Sequence, residues 1–337
     1  MTATRAAPDL VCPAGGLPAL KAAVDHGADC VYVGFRDETN ARAFAGLNFD
    51  DRALADGIAY AHRRNRRVLI ALNTYPDEAR FDRWTAAVDR AAQFGADAII
   101  VADPGLLAYA HAAHPALRLH LSVQGSATSY EAIEFHRERF GIQRAVLPRV
   151  LSVAQVAHTI AHTKVEIEVF GFGSLCVMVE GRCALSAYAT GQGPNRHGVC
   201  SPAKFVEWNE RPDGMTTRLG GFLIDRFGAG ERTGYPTVCK GRYDVGGGRY
   251  YAIEEPASLD TLELLPEFVR IGVAAVKIEG RQRSPSYVAE VTRVWRAAID
   301  HAAAATRYAV QPAWSAQLSR WAEGQQHTLG AYERAWR

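Results

Sequence analysis

Residues 67–103, RVLIALNTYPDEARFDRWTAAVDRAAQFGADAIIVAD, contain one complete unit of the pattern that decides the fold. The run Arg67 to Asn73 is short, apolar and bounded by turn residues, which reads as a buried strand. Arg80 to Phe94 then places apolar residues at helical spacing, Gly95-Ala96-Asp97 interrupts it, and Ala98 to Ala102 opens the next strand. Glycine just past the last periodic residue suits a helix C-terminus before a strand. The same Gly-Ala-Asp follows the helical segment Leu17 to Gly27, at Gly27-Ala28-Asp29, so the unit recurs.

Further strands of this kind are expected at Leu10 to Pro13, Cys30 to Phe35, Leu117 to Val123, Ala145 to Arg149, Val165 to Phe170 and Ala274 to Ile278, and another helix at Ala53 to Arg64. Strands alternating with helices imply parallel pairing. Eight such strands fit a (β/α)8 TIM-like barrel, and seven in an open doubly wound sheet fit the pattern almost as well; the barrel is the expected fold. On this reading residues 1–174 hold the first seven βα units and 175–273 a Cys-bearing, Gly-rich insertion before the last strand. Residues 274–305 hold the last strand and helix, and 306–337 an aromatic C-terminal tail. Ser284-Pro285 caps that last helix, with Tyr287, Val288, Val291, Val294, Trp295, Ala298 and Ile299 on its apolar face. The tail carries Trp314, Trp321, Tyr332 and Trp336, either packed back onto the domain or offered to another protein.

Across 337 residues, 38 Lys+Arg against 36 Asp+Glu leave a net charge of +2, with 48% hydrophobic and 22% charged residues. That composition excludes disorder and gives no global field toward nucleic acid or membrane. There is no apolar run near the roughly 18 residues that span a bilayer, and MTATRAAPDLVCPAG lacks the apolar stretch of a secretory signal. A soluble, cytoplasmic protein is expected.

A barrel places its chemistry at the C-terminal ends of its strands, where Asn73, Asp103, Gln124, Arg149, Glu168, Lys277 and Glu279 stand. The plain alternative for each is a turn former, cap or ion-pair partner; Asp103-Pro104 in particular reads as an N-cap followed by a first-turn proline.

Cys12 and Cys30 sit in strand-like apolar runs and read as small buried hydrophobes. The remaining thiols, Cys176-x6-Cys183-x16-Cys200-x38-Cys239, all fall in the Gly-rich insertion. Four thiols in one loop-rich region suit structural zinc, an iron–sulfur cluster or no shared site at all, and the absence of close C-x2-4-C pairs leans toward the cluster. Basic neighbours Arg182, Lys240 and Arg242 favour thiolates there.

The stretch Glu168-Val169-Phe170-Gly171-Phe172-Gly173-Ser174-Leu175-Cys176-Val177-Met178-Val179-Glu180-Gly181-Arg182-Cys183-Ala184-Leu185-Ser186 resembles the signature of the peptidase U32 family, E-x-F-x2-G-S-L-C-x4-G-x-C-x-L-S. The segments Asn40 to Phe49, Gly234 to Tyr243 and Thr328 to Tyr332 resemble the branch of that family that serves ubiquinone biosynthesis. The resemblance implies a [4Fe-4S] cluster on Cys176, Cys183, Cys200 and Cys239. It also implies oxygen-independent hydroxylation of the aromatic ring of a ubiquinone precursor, with prephenate as oxygen donor. The implied partners are a UbiV-like U32 homologue forming a heterodimer and a UbiT-like lipid-binding accessory protein. A dicarboxylate donor asks for arginine forks, and Arg42, Arg149 and Arg281 are the candidates. With Asn73, Gln124, Lys277 and Glu279 they make up the expected substrate-binding set; no catalytic residue stands out.

Proteolysis finds no support, since neither a G-x-S-x-G elbow nor H-E-x-x-H is present, and His111 and His114 are spaced as on a solvated helix face. Other members of the family hydroxylate bases in RNA, which makes RNA modification the rival reading, and a non-catalytic binding or scaffold role for an inactive homologue is the third. Its basic candidate, Arg63-Arg64-Asn65-Arg66-Arg67, is equally well explained as a helix end and a strand start.

Overall fold

Each Gly-Ala-Asp does the same structural work in the computed structural model, which describes residues 7–304 and 307–334. Gly27 and Gly95 take φ of +100° and +74°, turning the chain out of a helix where a side chain would be strained. Two residues on, the aspartate reaches the neighbouring strand: Leu10 N donates to Asp29 Oδ2 at 2.8 Å and Val68 N to Asp97 Oδ2 at 2.7 Å. Helix end and strand start are thereby fixed together.

The strands are β1 Asp9–Pro13, β2 Cys30–Val33, β3 Arg67–Leu72, β4 Ala98–Val101, β5 Arg118–Leu121, β6 Arg144–Val146 and β7 Glu166–Ser174. In the following region come β8 Val206–Arg211, β9 Gly214–Leu219, β10 Phe222–Gly228, β11 Arg242–Val245 and β12 Gly248–Tyr251, then β13 Ser258–Asp260, β14 Ala275–Ile278 and β15 His327–Thr328. Strands β1 to β7 pair in sequence order, all parallel, and β14 pairs with both β7 and β1, which closes an eight-stranded barrel. This is the (β/α)8 TIM-like fold expected from the sequence. Helices Leu17–Asp25, Asp51–His62, Phe81–Gln93, Pro104–Ala113, Tyr130–Phe140, Val153–His162, Leu265–Ile271 and Pro285–Ala304 follow the eight barrel strands. All seven apolar positions expected on the last helix are buried.

Asp103 caps its helix, accepting from Leu106 N at 2.8 Å. In the arginine cluster, Arg64 pairs with Asp25 at 3.4 Å, Arg66 with Asp29 at 2.8 Å and Arg67 with Asp9 at 2.7 Å, so three of its four arginines serve the helix–strand junction. His114 Nε2 pairs with Asp89 at 2.7 Å. The tail packs back: Trp314 and Tyr332 are buried, and Trp321 Nε1 donates to Glu290 at 2.9 Å. Trp336 lies outside the described residues.

The main core lies between sheet and helices, and a smaller apolar cluster (Val11, Cys30, Tyr32, Leu69, Ala98, Ile100, Ala275) fills part of the barrel interior. Beside it the interior is charged. Glu168, fully buried, meets Lys277 Nζ at 2.7 Å and Arg144 at 3.5 Å, and Arg144 continues to Asp9 at 2.8 Å and Glu166 at 2.7 Å. Among the described residues, no helix is long and apolar enough to cross a membrane.

Candidate metal centre

Between β7 and β13 the chain leaves the barrel and folds over the ends of several strands. This region holds helices Ala184–Thr190 and Pro194–His197, the antiparallel sheet β8-β9-β10 and the hairpin β11-β12. It docks on the loops after β2, β3 and β6: Arg42 NH1 donates to Gly198 O at 2.9 Å, Tyr75 N to Asn195 O at 2.9 Å, and Arg149 Nε to Glu180 Oε1 at 2.8 Å. Gly198, at φ +90°, permits the first contact, since a Cβ there would lie 2.6 Å from Ala41 O.

The four cysteines of the insertion come from separate pieces of this cap. Cys176 follows the end of β7, and Cys183 caps helix Ala184–Thr190, its Sγ accepting from Ser186 N at 3.4 Å. Cys200 lies on the loop that Gly198 docks, and Ser186 Oγ donates to its carbonyl. Cys239 sits in the short turn Val238–Lys240, which packs against the helix capped by Cys183.

The thiols share one electrostatic neighbourhood. Burial, then Glu180, pushes Cys176 up to about 12, and burial, then Cys200, pushes Cys239 up to about 11. Burial also raises Cys200, with Arg42 opposing and Cys183 reinforcing. The cations that favour the thiolates are Arg149 for Cys176, Arg42 for Cys200, and Lys240 for Cys200 and Cys239. Arg182 and Arg242, expected in that role, are turned elsewhere: Arg182 Nε donates to Ser126 Oγ at 3.1 Å and Arg242 pairs with Asp225 at 2.8 Å.

An all-sulfur donor set, with Cys176, Cys183 and Cys239 partly buried and Cys200 exposed, suits a soft, positively charged metal centre, because a coordinating metal deprotonates thiols outright. One tetrahedral zinc needs all its sulfurs about 2.3 Å from a single point. Among the described residues, no group of three or more His, Cys, Asp or Glu is close enough to hold one ion.

The expected substrate residues divide by environment. Asn73 Oδ1 accepts from Ala41 N at 3.0 Å and shapes the loop after β2. Lys277 is engaged by Glu168 and lies over the Tyr32 ring, 4.0 Å from its centroid. Arg149 is engaged by Glu180 and by the carbonyl of Ser174. Arg42 lies 3.8 Å from Glu279 and donates to Gln282 Oε1 at 3.2 Å. Arg281 differs: it is 4% exposed, donates one hydrogen bond, to Asn40 Oδ1 at 3.0 Å, and has no ion-pair partner among the described residues. Burial pushes its guanidinium down to about 10. Gln124 Oε1 is buried without a partner.

Sequence reasoning missed Glu180 and Asn40. Glu180 lay inside the quoted signature, but nothing in spacing says that a carboxylate four residues past Cys176 meets an arginine thirty-one positions upstream.

Cys12 and Cys30 are buried in the barrel, and Thr292 Oγ1 donates to Cys12 Sγ at 3.2 Å. Serine at either position is expected to cost about 1–2 kcal/mol of stability, from a buried hydroxyl, without changing bound iron. Thermal melts and iron analysis check this; lost iron would place a ligand in the barrel.

Residues 15–333 match the profile of Peptidase family U32. The chain is 29% identical over 314 residues to a tRNA hydroxylation protein P1 of Bacillus subtilis (strain 168), covering 93% of this chain and 68% of the relative. It is 33% identical over 300 residues to an uncharacterized protease of Methanocaldococcus jannaschii, covering 87% and 65%. A 23S rRNA 5-hydroxycytidine C2501 synthase of Escherichia coli (strain K12) is 28% identical over 292 residues, covering 87% and 39%. The chain thus spans about two thirds of the length of the first two and less of the third. A profile match over nearly the whole chain, with the cysteine signature carried intact from β7 into the cap, makes this chain a member of Peptidase family U32.

Proposed function

We propose that this chain is the iron–sulfur component of an oxygen-independent hydroxylase acting on the aromatic ring of a ubiquinone precursor. In this reading it is a UbiU-type protein that pairs with a UbiV-like U32 homologue, takes the oxygen atom from prephenate and works alongside a UbiT-like lipid-binding protein. Hydroxylation as the shared chemistry is supported by relatives named for tRNA hydroxylation and for 5-hydroxycytidine synthesis. The ubiquinone substrate rests on the resemblance of Asn40 to Phe49, Gly234 to Tyr243 and Thr328 to Tyr332 to that branch.

The observation that carries the site reading is a buried Arg281 without an acidic partner, next to a cap that gathers four thiols. Tyr32 and Glu279 offset only part of the cost of burying this guanidinium, and a bound carboxylate relieves more of it with a charge-assisted pair. Arg42, which faces both Arg281 and Cys200, links that anion site to the thiols. Gln124 Oε1 offers one unused acceptor to a donor group. When bound, a [4Fe-4S] cluster supplies one-electron chemistry that side chains alone do not.

A second reading, hydroxylation of an RNA base, is favoured by a separate observation. Arg211, Arg218 and Arg226 line one pocket on the β8-β9-β10 sheet together with Asp213, and none of the three arginines has an ion-pair partner among the described residues. Tyr188 and Phe222, both exposed, stand 5.7 Å apart near the turn that joins β9 and β10. Unpaired arginines and exposed rings on one sheet are the residue types a single strand uses for phosphates and bases.

One experiment separates the readings: quinone profiling by mass spectrometry, with and without oxygen, in cells lacking this chain, alongside mapping of hydroxylated bases in tRNA and rRNA. Loss of ubiquinone only in the absence of oxygen, with accumulation of precursors short of a ring hydroxyl, is the expected result. Normal anaerobic ubiquinone with a lost RNA hydroxylation would give the function to the second reading.

A further inference from the structure

We infer that Lys240 and Glu323 form an opposed charge pair that tunes the reduction potential of the metal centre, with the C-terminal segment as the strap that holds this pair in place. The inference rests on the reading of the four insertion cysteines as cluster ligands.

Lys240 follows Cys239 directly, and its side chain is 5% exposed. A lysine so buried needs a partner, because an unpaired ammonium away from water is costly. The partner arrives from far along the chain: Glu323, on the short turn Glu323–Gln325, takes the Lys240 ammonium on Oε2. Ser174 completes the group, its Oγ donating to Glu323 Oε2 at 3.2 Å and lying 3.4 Å from Lys240 Nζ. Ser174 precedes Cys176 by two residues. One carboxylate therefore ties the Cys239 turn to the start of the Cys176 loop.

Glu323 is itself positioned. Its backbone N donates to Ser258 Oγ at 2.9 Å, and Ser258 is the register partner of Ser174 across β13 and β7. Downstream, Leu175 sits close against Gly330, and Tyr332 OH donates to Phe170 O at 3.2 Å. Arg334 pairs with Glu254 at 2.8 Å, and Glu254 N donates to the carbonyl of Cys239 at 3.0 Å. Residues 323–334 thus hold both ligand-bearing segments.

The electrostatic consequence has a definite sign. Reduction adds negative charge to a thiolate-bound cluster, so a nearby cation stabilises the reduced form and raises the potential, while an anion lowers it. Lys240 is near enough to act on both Cys200 and Cys239. In the intact pair the two charges oppose one another; removing either unmasks the other. A purely structural tie behaves differently, since loosening it from either side perturbs the centre in the same direction.

The test uses anaerobically iron-loaded protein, with iron analysis and a spectroscopic redox titration as readouts. Glu323→Gln, nearly isosteric, is expected to retain iron and shift the potential upward. Lys240→Gln is expected to shift it downward, Lys240→Arg to leave it unchanged, and the double variant Lys240→Gln/Glu323→Gln to return it toward wild type. Shifts of the same sign in the two single variants, no shift with iron retained, or equal loss of iron from both would overturn the inference. A wild-type chain that takes up no iron would instead overturn the cluster reading beneath it.

Discussion

Alanine at any one of Cys176, Cys183, Cys200 or Cys239 is expected to strip most of the iron from anaerobically prepared protein, whose wild-type form should carry about four irons per chain. Changes to residues behind the ligands already cost about 10–100-fold in metal affinity, and deleting a ligand is the larger perturbation. The barrel should survive the loss. Its core lies between the sheet and the surrounding helices, and Cys176 alone of the four directly follows a barrel strand. Iron and sulfide analysis, an absorbance spectrum and a circular-dichroism melt on each variant make the measurement. Four variants with full iron, or a wild-type chain holding stoichiometric zinc and no iron, would rule out this assignment.

The largest effect on folding is expected from Glu168→Leu. Glu168 has no exposed surface and stands between Lys277 at 2.7 Å and Arg144 at 3.5 Å inside the barrel. Removing it leaves the buried Lys277 ammonium over the Tyr32 ring without its carboxylate, a change that costs about 3–5 kcal/mol. Arg144 is cushioned by Asp9 and Glu166, so the burden falls on Lys277. The double variant Glu168→Leu/Lys277→Met removes both charges and should recover most of that loss, because an apolar pair of similar volume often replaces a buried ion pair at little cost. Denaturant midpoints on the two singles and the double supply the cycle. If Glu168→Leu unfolds no more easily than wild type, the interior network carries no stability.

These expectations show how far sequence reaches in this chain. The barrel was legible because each βα unit repeats the same local signals: an apolar strand, a helical stretch and, twice, a Gly-Ala-Asp whose glycine takes positive φ. Cys176 and Cys183 were legible because the signature that holds them is contiguous from Glu168 to Ser186, and Cys239 because it lies in the separate resembling segment Gly234 to Tyr243. What spacing could not reveal were partnerships across long sequence distances. Arg149 read as an open fork, yet Glu180 occupies it; Arg42 read the same way, yet it braces the Cys200 loop through Gly198. Lys240 read as a thiolate-stabilising neighbour without any sign of the Glu323 that balances it. Charge pairing is set by the tertiary path of the chain, and a linear pattern carries little of that path.

Ser174 and Ser258, which face each other across β7 and β13, mark where the chain departs from the barrel and where it comes back. Two ends that lie side by side let the segment between them vary without re-registering β7 or β13, while its other ties run through the loops after β2, β3 and β6. The fold is in this sense a socket with an interchangeable head. Changes within residues 175–257 that keep those contacts leave the register of the barrel strands untouched.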